Sequence, residues 1–230
     1  MAEVITKWSY PLAVVLAGSL LSPSPALAGN VSAPSSADPL KAALLAPKDL
    51  GSEFTRRDYR TTGLLNPAFT HSKACGEASK RVAAVYRTKI ATALKYRKRW
   101  EGVSEYIWSG TSSEISTLER AARSMVRHCR KITIRSDGAN DIIRRLPVGR
   151  LGDSAYGIKF RSGFPGSDLE RDSEPATGMM VAIDVVIIRY KNTLIVLEHD
   201  GNVGEFVPAL TRSAAETAVA RLRVTQRNSH

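Results

Sequence analysis

The chain has 230 residues and a net charge of +11, with 43% hydrophobic and 24% charged residues. This is the composition of a globular protein with enough apolar residues for a buried core, and the length permits one domain or two. The excess of positive charge predicts attraction to anionic surfaces such as phospholipid headgroups, wall polymers or nucleic acid. Charge that serves only to keep the protein dissolved would give the same excess.

The first 28 residues have the pattern of a signal peptide. Lys7 ends a short polar start, residues 11–21 form an apolar run, and the alternating serines and prolines of residues 22–25 break a helix. Residues 26–28 then place small side chains at both specificity positions of a signal peptidase site. The apolar run is shorter than the roughly 20 residues that span a bilayer. The sequence therefore predicts cleavage after Ala28; the alternative is a buried N-terminal helix.

Residues 29–38 are mostly small and polar, and they predict a flexible leader ahead of a domain at residues 39–226. Residues 27–30 have the form of a lipoprotein box, but Asn30 stands where the lipidated cysteine should be. No lipid can be attached at that position. Because no later segment has about 20 apolar residues without charge, we expect a secreted protein with no transmembrane segment in its mature chain.

Two cysteines, Cys75 and Cys129, lie in the predicted mature chain. Export permits a disulfide between them, which would stabilise the fold by about 4 kcal/mol in the chain-entropy model. The alternative is a pair of buried free thiols. A zinc site is disfavoured, because structural zinc takes four nitrogen or sulfur ligands and the sequence has no C-x-x-C or H-x-x-x-H pair.

The N-terminal part of the domain is predicted to be largely helical. Asp38 and Pro39 are a favourable helix start, because an aspartate side chain caps the helix and proline fits the first turn. Cys75, Val82 and Val85 recur at helical spacing and share one apolar face. The predicted elements are short helices at 40–45 and 47–50, a strand at 54–59 and a helix at 75–86.

The central part is predicted to be a β-hairpin, at residues 90–100 and 103–108, followed by a helix that opens at residues 111–113. The apolar face of this helix ends at Cys129, whereas Cys75 begins the apolar face of the preceding helix. A bridge between two helix ends packed on one sheet is therefore geometrically natural. The apolar face comprises Ile115, Leu118, Ala122, Met125 and Cys129.

The remaining elements are mostly strands, and the order of elements is mixed rather than strictly alternating. This order predicts a single α+β domain, in which helices pack on an antiparallel β-sheet. The two strongest strands, 180–188 and 193–197, should pair as a hairpin near the sheet centre. The other predicted elements are strands at 131–135, 142–146 and 154–160, a loop at 163–178 and a final helix at 210–224.

Four segments occur in order along the domain: residues 44–51 (LLAPKDLG), 122–134 (ARSMVRHCRKITI), 151–160 (LGDSAYGIKF) and 185–197 (VVIIRYKNTLIVL). Together they resemble the PknH-like extracellular sensor domain family of actinobacteria, and the resemblance covers about residues 41–226. Family members occur as secreted proteins, as lipoproteins and as the outer part of membrane kinases. The resemblance implies a non-catalytic sensor or binding module with an antiparallel sheet and helices that form a cleft. Some members have two disulfides, whereas this chain can form one.

Two segments of the sequence could each form either a functional site or a turn. Residues 152–154 are similar to the serine block of GDS(L)-type esterases, which would make Ser154 a nucleophile, but the Asp-x-x-His that such an enzyme needs near its end is missing. His199, Asp200 and Glu205 are candidate metal ligands, and residues 200–205 are similar to half of a calcium loop, but they depart from its spacing. Turns are the favoured interpretation of both segments, and neither a cofactor nor a metal is predicted.

Two candidate binding features remain. Asp184 interrupts an apolar strand, so it either lines a cleft or pairs with a nearby arginine. Cations on the predicted strand 90–100 and on the central helix would form an anion-binding patch if the fold joins them; otherwise they are scattered and solvated. Tyr96 and Trp100 lie on the opposite strand face, which weakens a specific nucleic-acid platform. The patch comprises Lys95, Arg97, Arg99, Arg123 and Arg127.

The function predicted from the sequence is that of a secreted, non-catalytic sensor or ligand-binding domain at the cell envelope. Its partner would be an envelope ligand such as an anionic lipid or a wall polymer. Two alternatives are a secreted serine hydrolase that uses Ser154 and a general polyanion binder driven by charge alone.

Overall fold

The structure is a computed structural model. It describes residues 39–58, 63–88, 90–135, 138–165, 169, 179–202 and 204–228. The predicted signal peptide, residues 1–28, and the predicted leader, residues 29–38, lie outside the described residues. Most of the predicted loop at 163–178 lies outside them as well. The boundaries of the predicted domain stay a prediction.

The core of the fold is an antiparallel sheet in which eight described strands follow the order β1-β2-β3-β8-β7-β6-β5-β4. Five described α-helices accompany it, and this confirms the predicted α+β class. The strands are β1 (Phe54–Arg56), β2 (Ala91–Tyr96), β3 (Glu101–Ser109), β4 (Lys131–Arg135), β5 (Asn140–Arg145), β6 (Ser154–Gly163), β7 (Met179–Tyr190) and β8 (Thr193–Gly201). The helices are α1 (Pro39–Ala43), α2 (Pro47–Leu50), α3 (Lys73–Val82), α4 (Ser112–Cys129) and α5 (Pro208–Arg227), with 3-10 helices at Pro67–His71 and Ala83–Arg87.

The β7–β8 hairpin occupies the centre of the sheet, as the sequence predicts. The sheet is covered on both faces, so these strands are apolar on both sides. Val185 and Ile187 belong to the core shared with α3 and α4, whereas Val186 and Ile188 belong to the core shared with α5. This two-sided burial explains why residues 180–188 form an almost continuous apolar run in the sequence.

Helix α4 is the best specified element of the chain. The side chain of Thr111 accepts a hydrogen bond from the backbone N–H of Glu114 (3.3 Å), and the Glu114 carboxylate accepts one from the backbone N–H of Thr111 (2.8 Å). This reciprocal capping box satisfies two donors that a helix start would leave unpaired. Ile115, Met125 and Cys129 are buried beneath the helix, on the predicted apolar face.

The disulfide between Cys75 and Cys129 is formed, with the two Cα atoms 5.1 Å apart, so the predicted bridge is confirmed. Cys75 lies in the first turn of α3, and Cys129 is the last residue of α4. Both side chains are fully buried. The bridge therefore fixes the end of α4 against α3.

The structure differs from the predicted elements mainly where strands end. Strand β2 stops at Tyr96, and residues 97–100 form the turn into β3 rather than the end of a strand. The helix predicted at 75–86 is α3 followed by a 3-10 helix, and the 3-10 helix Pro67–His71 was not predicted. The first of these differences matters for the predicted anion patch, because two of its members lie in the turn.

Candidate functional site

A groove of about 430 Å³ lies between the second half of α4, the strand β6 and the segment at 146–149 that follows β5. Four arginines line it, together with Tyr156 and small or apolar residues. No aspartate or glutamate is among the described residues that line this concavity. The arginines are Arg123, Arg127, Arg130 and Arg145, and the apolar side chains are Val126, Leu146, Pro147, Val148 and Ala155.

A second concavity of about 640 Å³ continues from the first across the start of β4 and the end of β5. The two concavities share Arg130 and Arg145, so together they form one surface, which we call the cationic groove. All five described residues that line the second concavity are cationic: Arg130, Lys131, Arg144, Arg145 and Lys159.

The cationic groove follows from the helical period and from one strand register. Arg123, Arg127 and Arg130 are spaced by four and three residues, so they project from the same side of α4 and its last turn. The chain then enters β4 at Lys131, which pairs in register with Arg144 on β5. This pairing brings the cations at the end of α4 beside those at the end of β5.

Three arginines of the groove are exposed, and none of them forms an ion pair with a described acidic residue; we call these arginines uncommitted. They are Arg127, Arg130 and Arg145. Arg144 is held differently, because its guanidinium donates hydrogen bonds to the carbonyl oxygens of Ile132 (2.8 Å) and Ile143 (3.0 Å). The uncommitted arginines are therefore the groups with which an incoming anion would pair.

Arg123 is anchored at the edge of the groove by a cluster around Glu119. Its guanidinium donates to the hydroxyl oxygen of Tyr156 (3.1 and 3.2 Å), and that hydroxyl donates to Glu119 (2.9 Å). The other Glu119 oxygen accepts from Arg189 (2.6 Å). Burial raises the pKa of Glu119, but hydrogen bonds from Arg189, Ser154 and Tyr156 outweigh it and lower the pKa overall. Glu119 is therefore ionised at neutral pH and orients Tyr156 and Arg123.

The structure places two of the five predicted patch residues, Arg123 and Arg127, in the cationic groove. Lys95, Arg97 and Arg99 are not among the described residues that line it. Arg97 and Arg99 lie in the turn after β2, and Arg99 is ion-paired with the buried Glu101.

The predicted patch does not include the other cations of the groove. Four of them lie in two basic clusters of the sequence, residues 120–131 and 144–145, whereas Lys159 lies outside both clusters. The sequence alone does not give the β4–β5 register, and it is this register that brings the two clusters together.

Ser154, the candidate nucleophile, lies at the start of β6 with its hydroxyl donating to Glu119 (2.9 Å). His199 points into the opposite side of the sheet, where it contacts Thr211 and Glu101. Among the described residues, no histidine is positioned to activate Ser154. The preceding segment forms a turn, in which Asp153 accepts a hydrogen bond from the backbone N–H of Lys191 (2.6 Å). This is the turn interpretation that the sequence favoured.

Asp184, the candidate cleft residue, is fully buried rather than exposed in a cleft. Its carboxylate lies 2.9 Å from the guanidinium of Arg161, whose side chain is also fully buried. It also accepts a hydrogen bond from the hydroxyl of Thr211 (2.8 Å) on α5. The arginine-paired alternative therefore describes Asp184, because a buried carboxylate needs a partner and Arg161 supplies it.

A chain of buried polar contacts runs from Asp184 through Thr211 of α5 to His199 and Glu101. Thr211 has a single hydroxyl proton and gives it to Asp184, so the His199 Nδ1, 2.8 Å away, is the donor to Thr211. The His199 Nε2 lies 3.0 Å from Glu101. Burial raises the pKa of Glu101, but contacts with His199, Val207 and Arg99 lower it overall. This network connects four strands to α5. It gives both ring nitrogens of His199, a candidate metal ligand, a polar partner within the protein.

The described residues contain no group of three or more histidine, cysteine, aspartate or glutamate side chains that could hold a metal ion. Asp200, another candidate metal ligand, is instead ion-paired with Arg57. Glu205 is exposed in the turn after β8. Of the helices within the described ranges, none is both long and apolar enough to cross a membrane.

Comparisons with known proteins give a weak likeness in fold. The chain matches no family model, and no curated protein matches it significantly. Among solved structures, it is similar to the extracellular domain of PknH from Mycobacterium tuberculosis, with a TM-score of 0.45 and 11% sequence identity over 80% of this chain and 95% of that one. It is also similar to CalU16 from Micromonospora echinospora, with a TM-score of 0.23 and 8% identity over 58% of this chain and 89% of the other.

Proposed function

We propose that this protein is a non-catalytic binding domain that acts outside the cytoplasm and recognises an anionic ligand of the cell envelope through the cationic groove. The observation that carries the proposal is the composition of the groove. Seven of its described lining residues are cationic, and none of the described lining residues is acidic.

The geometry of the groove supports anion binding in a way that net charge alone does not. A concave surface lined by one sign of charge and backed by apolar walls concentrates the field and attracts ligands of opposite charge. A single exposed ion pair contributes only about 0.2–1 kcal/mol. Several uncommitted arginines that converge on one ligand act together, and the planar guanidinium suits phosphate and carboxylate groups.

The buried disulfide supports a location outside the cytoplasm. Disulfides persist in oxidising compartments and are rare where thiols are kept reduced. The bridge joins Cys75 and Cys129 in the core of the fold, so it is a structural bond. The predicted signal peptide is in keeping with this location.

The environment of Ser154 supports a non-catalytic role. Its hydroxyl is engaged by the carboxylate of Glu119, on the face of the sheet opposite to His199. A serine nucleophile is activated by a base whose pKa lies near the working pH, whereas the lowered pKa of Glu119 makes its carboxylate a weak base. We therefore assign Ser154 to the cluster that positions Tyr156 and Arg123.

Binding of inorganic polyphosphate, measured by calorimetry, tests the proposal. The test variant is Arg127→Gln/Arg130→Gln/Arg145→Gln, which removes the three uncommitted arginines of the groove. The matched control is Lys95→Gln/Arg97→Gln/Lys98→Gln, which removes the same amount of charge from exposed positions near the β2–β3 turn. We expect the groove variant to weaken binding at least tenfold and the control to weaken it less than threefold. Equal weakening by both variants would contradict a groove and indicate binding by charge alone.

A further inference from the structure

The two halves of the cationic groove differ in chemistry. The concavity beside α4 combines arginines with a tyrosine and five apolar side chains, whereas the concavity beside β4 is lined only by cations among the described residues. Arg130 and Arg145 lie at the junction, because they line both. A ligand that is anionic throughout would match the second half alone. The first half requires a ligand with an apolar part as well.

The apolar wall of the first half is held in place by the backbone. The N–H of Leu146 donates to the carbonyl oxygen of Gly157 on β6 (3.0 Å). A Cβ atom at Gly157 would lie 2.5 Å from the Leu146 carbonyl oxygen and 2.5 Å from a methyl carbon of Val148. The glycine therefore allows the segment 146–148 to lie directly against β6. Opposite this wall, Val126 of α4 completes the apolar lining.

The positions of the uncommitted arginines determine the orientation of the ligand in the groove. Arg123 is the least available arginine of the first half, since it is engaged by Tyr156 and lies 3.5 Å from Glu119. Arg130 and Arg145 have no acidic partner among the described residues. An anionic head group would therefore pair at the junction of the two halves. The rest of the ligand would extend along Val126 and Val148.

The size of the groove indicates one molecule rather than a membrane surface. Sites for small molecules have volumes of about 300–1,000 Å³ and are concave, and the volume of the first half lies in this range. A flat bilayer surface cannot enter a concavity of this kind. Proteins that bind a membrane surface instead use an amphipathic helix or a cluster of basic residues close to the membrane.

We infer that the cationic groove binds a single anionic amphiphile, with a phosphate-type head group at Arg130 and Arg145 and a hydrocarbon part against Val126, Leu146 and Val148. This inference rests on the proposed function and narrows it from anionic ligands in general to lipid-like ones. The head group and the hydrocarbon belong to one lipid-like molecule held by the groove, and not to the surface of a membrane.

A series of monomeric alkyl phosphates tests the inference. Methyl, butyl and octyl phosphate are titrated into the full-length protein by calorimetry, below the concentration at which octyl phosphate forms micelles. The head group is constant, so any change in affinity reports on the chain. Complete burial of one methylene would raise affinity about fourfold. We expect octyl phosphate to bind at least tenfold more tightly than methyl phosphate, because the groove is partly open.

The variant Val126→Thr/Val148→Thr makes two of the five apolar lining residues polar without changing charge. It should reduce the gain from methyl to octyl phosphate to less than threefold and leave the affinity for methyl phosphate unchanged. The matched control is Val224→Thr, at an exposed valine of α5 outside the groove, and it should keep the full gain. The variant Arg127→Gln/Arg130→Gln/Arg145→Gln should weaken every member of the series.

Three outcomes would overturn the inference. Equal affinity for all chain lengths, lost in the arginine variant, would leave the proposed function intact and exclude an amphiphile. A chain-length gain that survives in Val126→Thr/Val148→Thr would place the hydrocarbon elsewhere. Binding of polyphosphate, or of phosphatidylglycerol vesicles, without binding of any alkyl phosphate would show that the groove takes a polyanion or a membrane surface.

Discussion

Glu105 is predicted to make the stability of the fold depend on pH. It lies on β3, facing α1 and α5, and it is fully buried. One carboxylate oxygen accepts a hydrogen bond from the backbone N–H of Leu45 (2.6 Å), and the other has no hydrogen-bond partner among the described residues. Burial raises the pKa of Glu105 from 4.5 to about 8, although the Leu45 N–H and the charge of Arg221 act in the opposite direction. The side chain is therefore neutral in the folded protein at pH 7.

The sign of the pH effect follows from the folded protein holding this proton more tightly than the unfolded chain. The stabilisation from the protonated carboxyl is fully present below about pH 4.5 and is lost as pH rises through about 8. Each pH unit between the two pKa values costs about 1.4 kcal/mol, so the loss between pH 5 and pH 9 is about 4 kcal/mol. This is a large fraction of the stability of a typical domain.

Urea unfolding of the wild-type protein and of Glu105→Gln at pH 5, 7 and 9 measures this effect. The glutamine has nearly the same shape, keeps an oxygen for the Leu45 N–H and cannot ionise. We expect the free energy of unfolding of Glu105→Gln to fall by about 4 kcal/mol less than that of the wild type between pH 5 and pH 9. Glu216→Gln, at an exposed position of α5, is the control and should follow the wild type. The same pH dependence in Glu105→Gln and wild type would refute the reasoning.

Three further substitutions probe the structure by urea or thermal unfolding. Cys75→Ser/Cys129→Ser should lower the free energy of unfolding by about 4 kcal/mol, and a change below about 1 kcal/mol would contradict a structural bridge. Thr211→Val removes the buried hydroxyl that donates to one oxygen of Asp184 and should cost about 1–3 kcal/mol; no change would mean that the polar chain is dispensable. Gly157→Ala should cost about 1–3 kcal/mol by displacing the 146–148 segment, and it should also weaken octyl phosphate binding; unchanged affinity would argue against that wall.

Elements with strong local signals were predictable from the sequence. Helix α4 has a capping box at Thr111 and a regular apolar face, and the β7–β8 hairpin joins the two most apolar segments. The disulfide could also be expected, because Cys75 and Cys129 lie at the ends of apolar helix faces in a chain whose first 28 residues predict export. For the helix and the hairpin, the physical determinant is contained in a short stretch of sequence.

The end of β2 was not predictable, because residues 97–100 carry no turn signal. They read RKRW and contain none of the glycine, proline, asparagine or aspartate residues that usually mark a hairpin turn. Cations at positions 95, 97 and 99 and aromatic residues at 96 and 100 have the spacing of two strand faces, which suggests that the strand continues. The predicted patch was therefore assembled from a strand face that does not exist beyond Tyr96.

The buried polar network could not be derived from sequence, since its members come from distant segments. Asp184, His199 and Thr211 lie on β7, β8 and α5, whereas Glu101 is almost 100 residues earlier on β3. The alternation in β7 shows which residues share a face with Asp184. It does not show that α5 covers that face or that Arg161 lies beneath it. Such contacts depend on strand order and helix placement.

The most direct test of the cationic groove is an NMR titration that follows the side-chain Nε–Hε signals of the arginines during addition of octyl phosphate. We predict that the signals of Arg130 and Arg145 shift first and furthest, with Arg127 next, while those of Arg97 and Arg99 stay unchanged. Shifts confined to the β2–β3 turn, or equal shifts of all exposed arginines, would contradict the groove as the binding site.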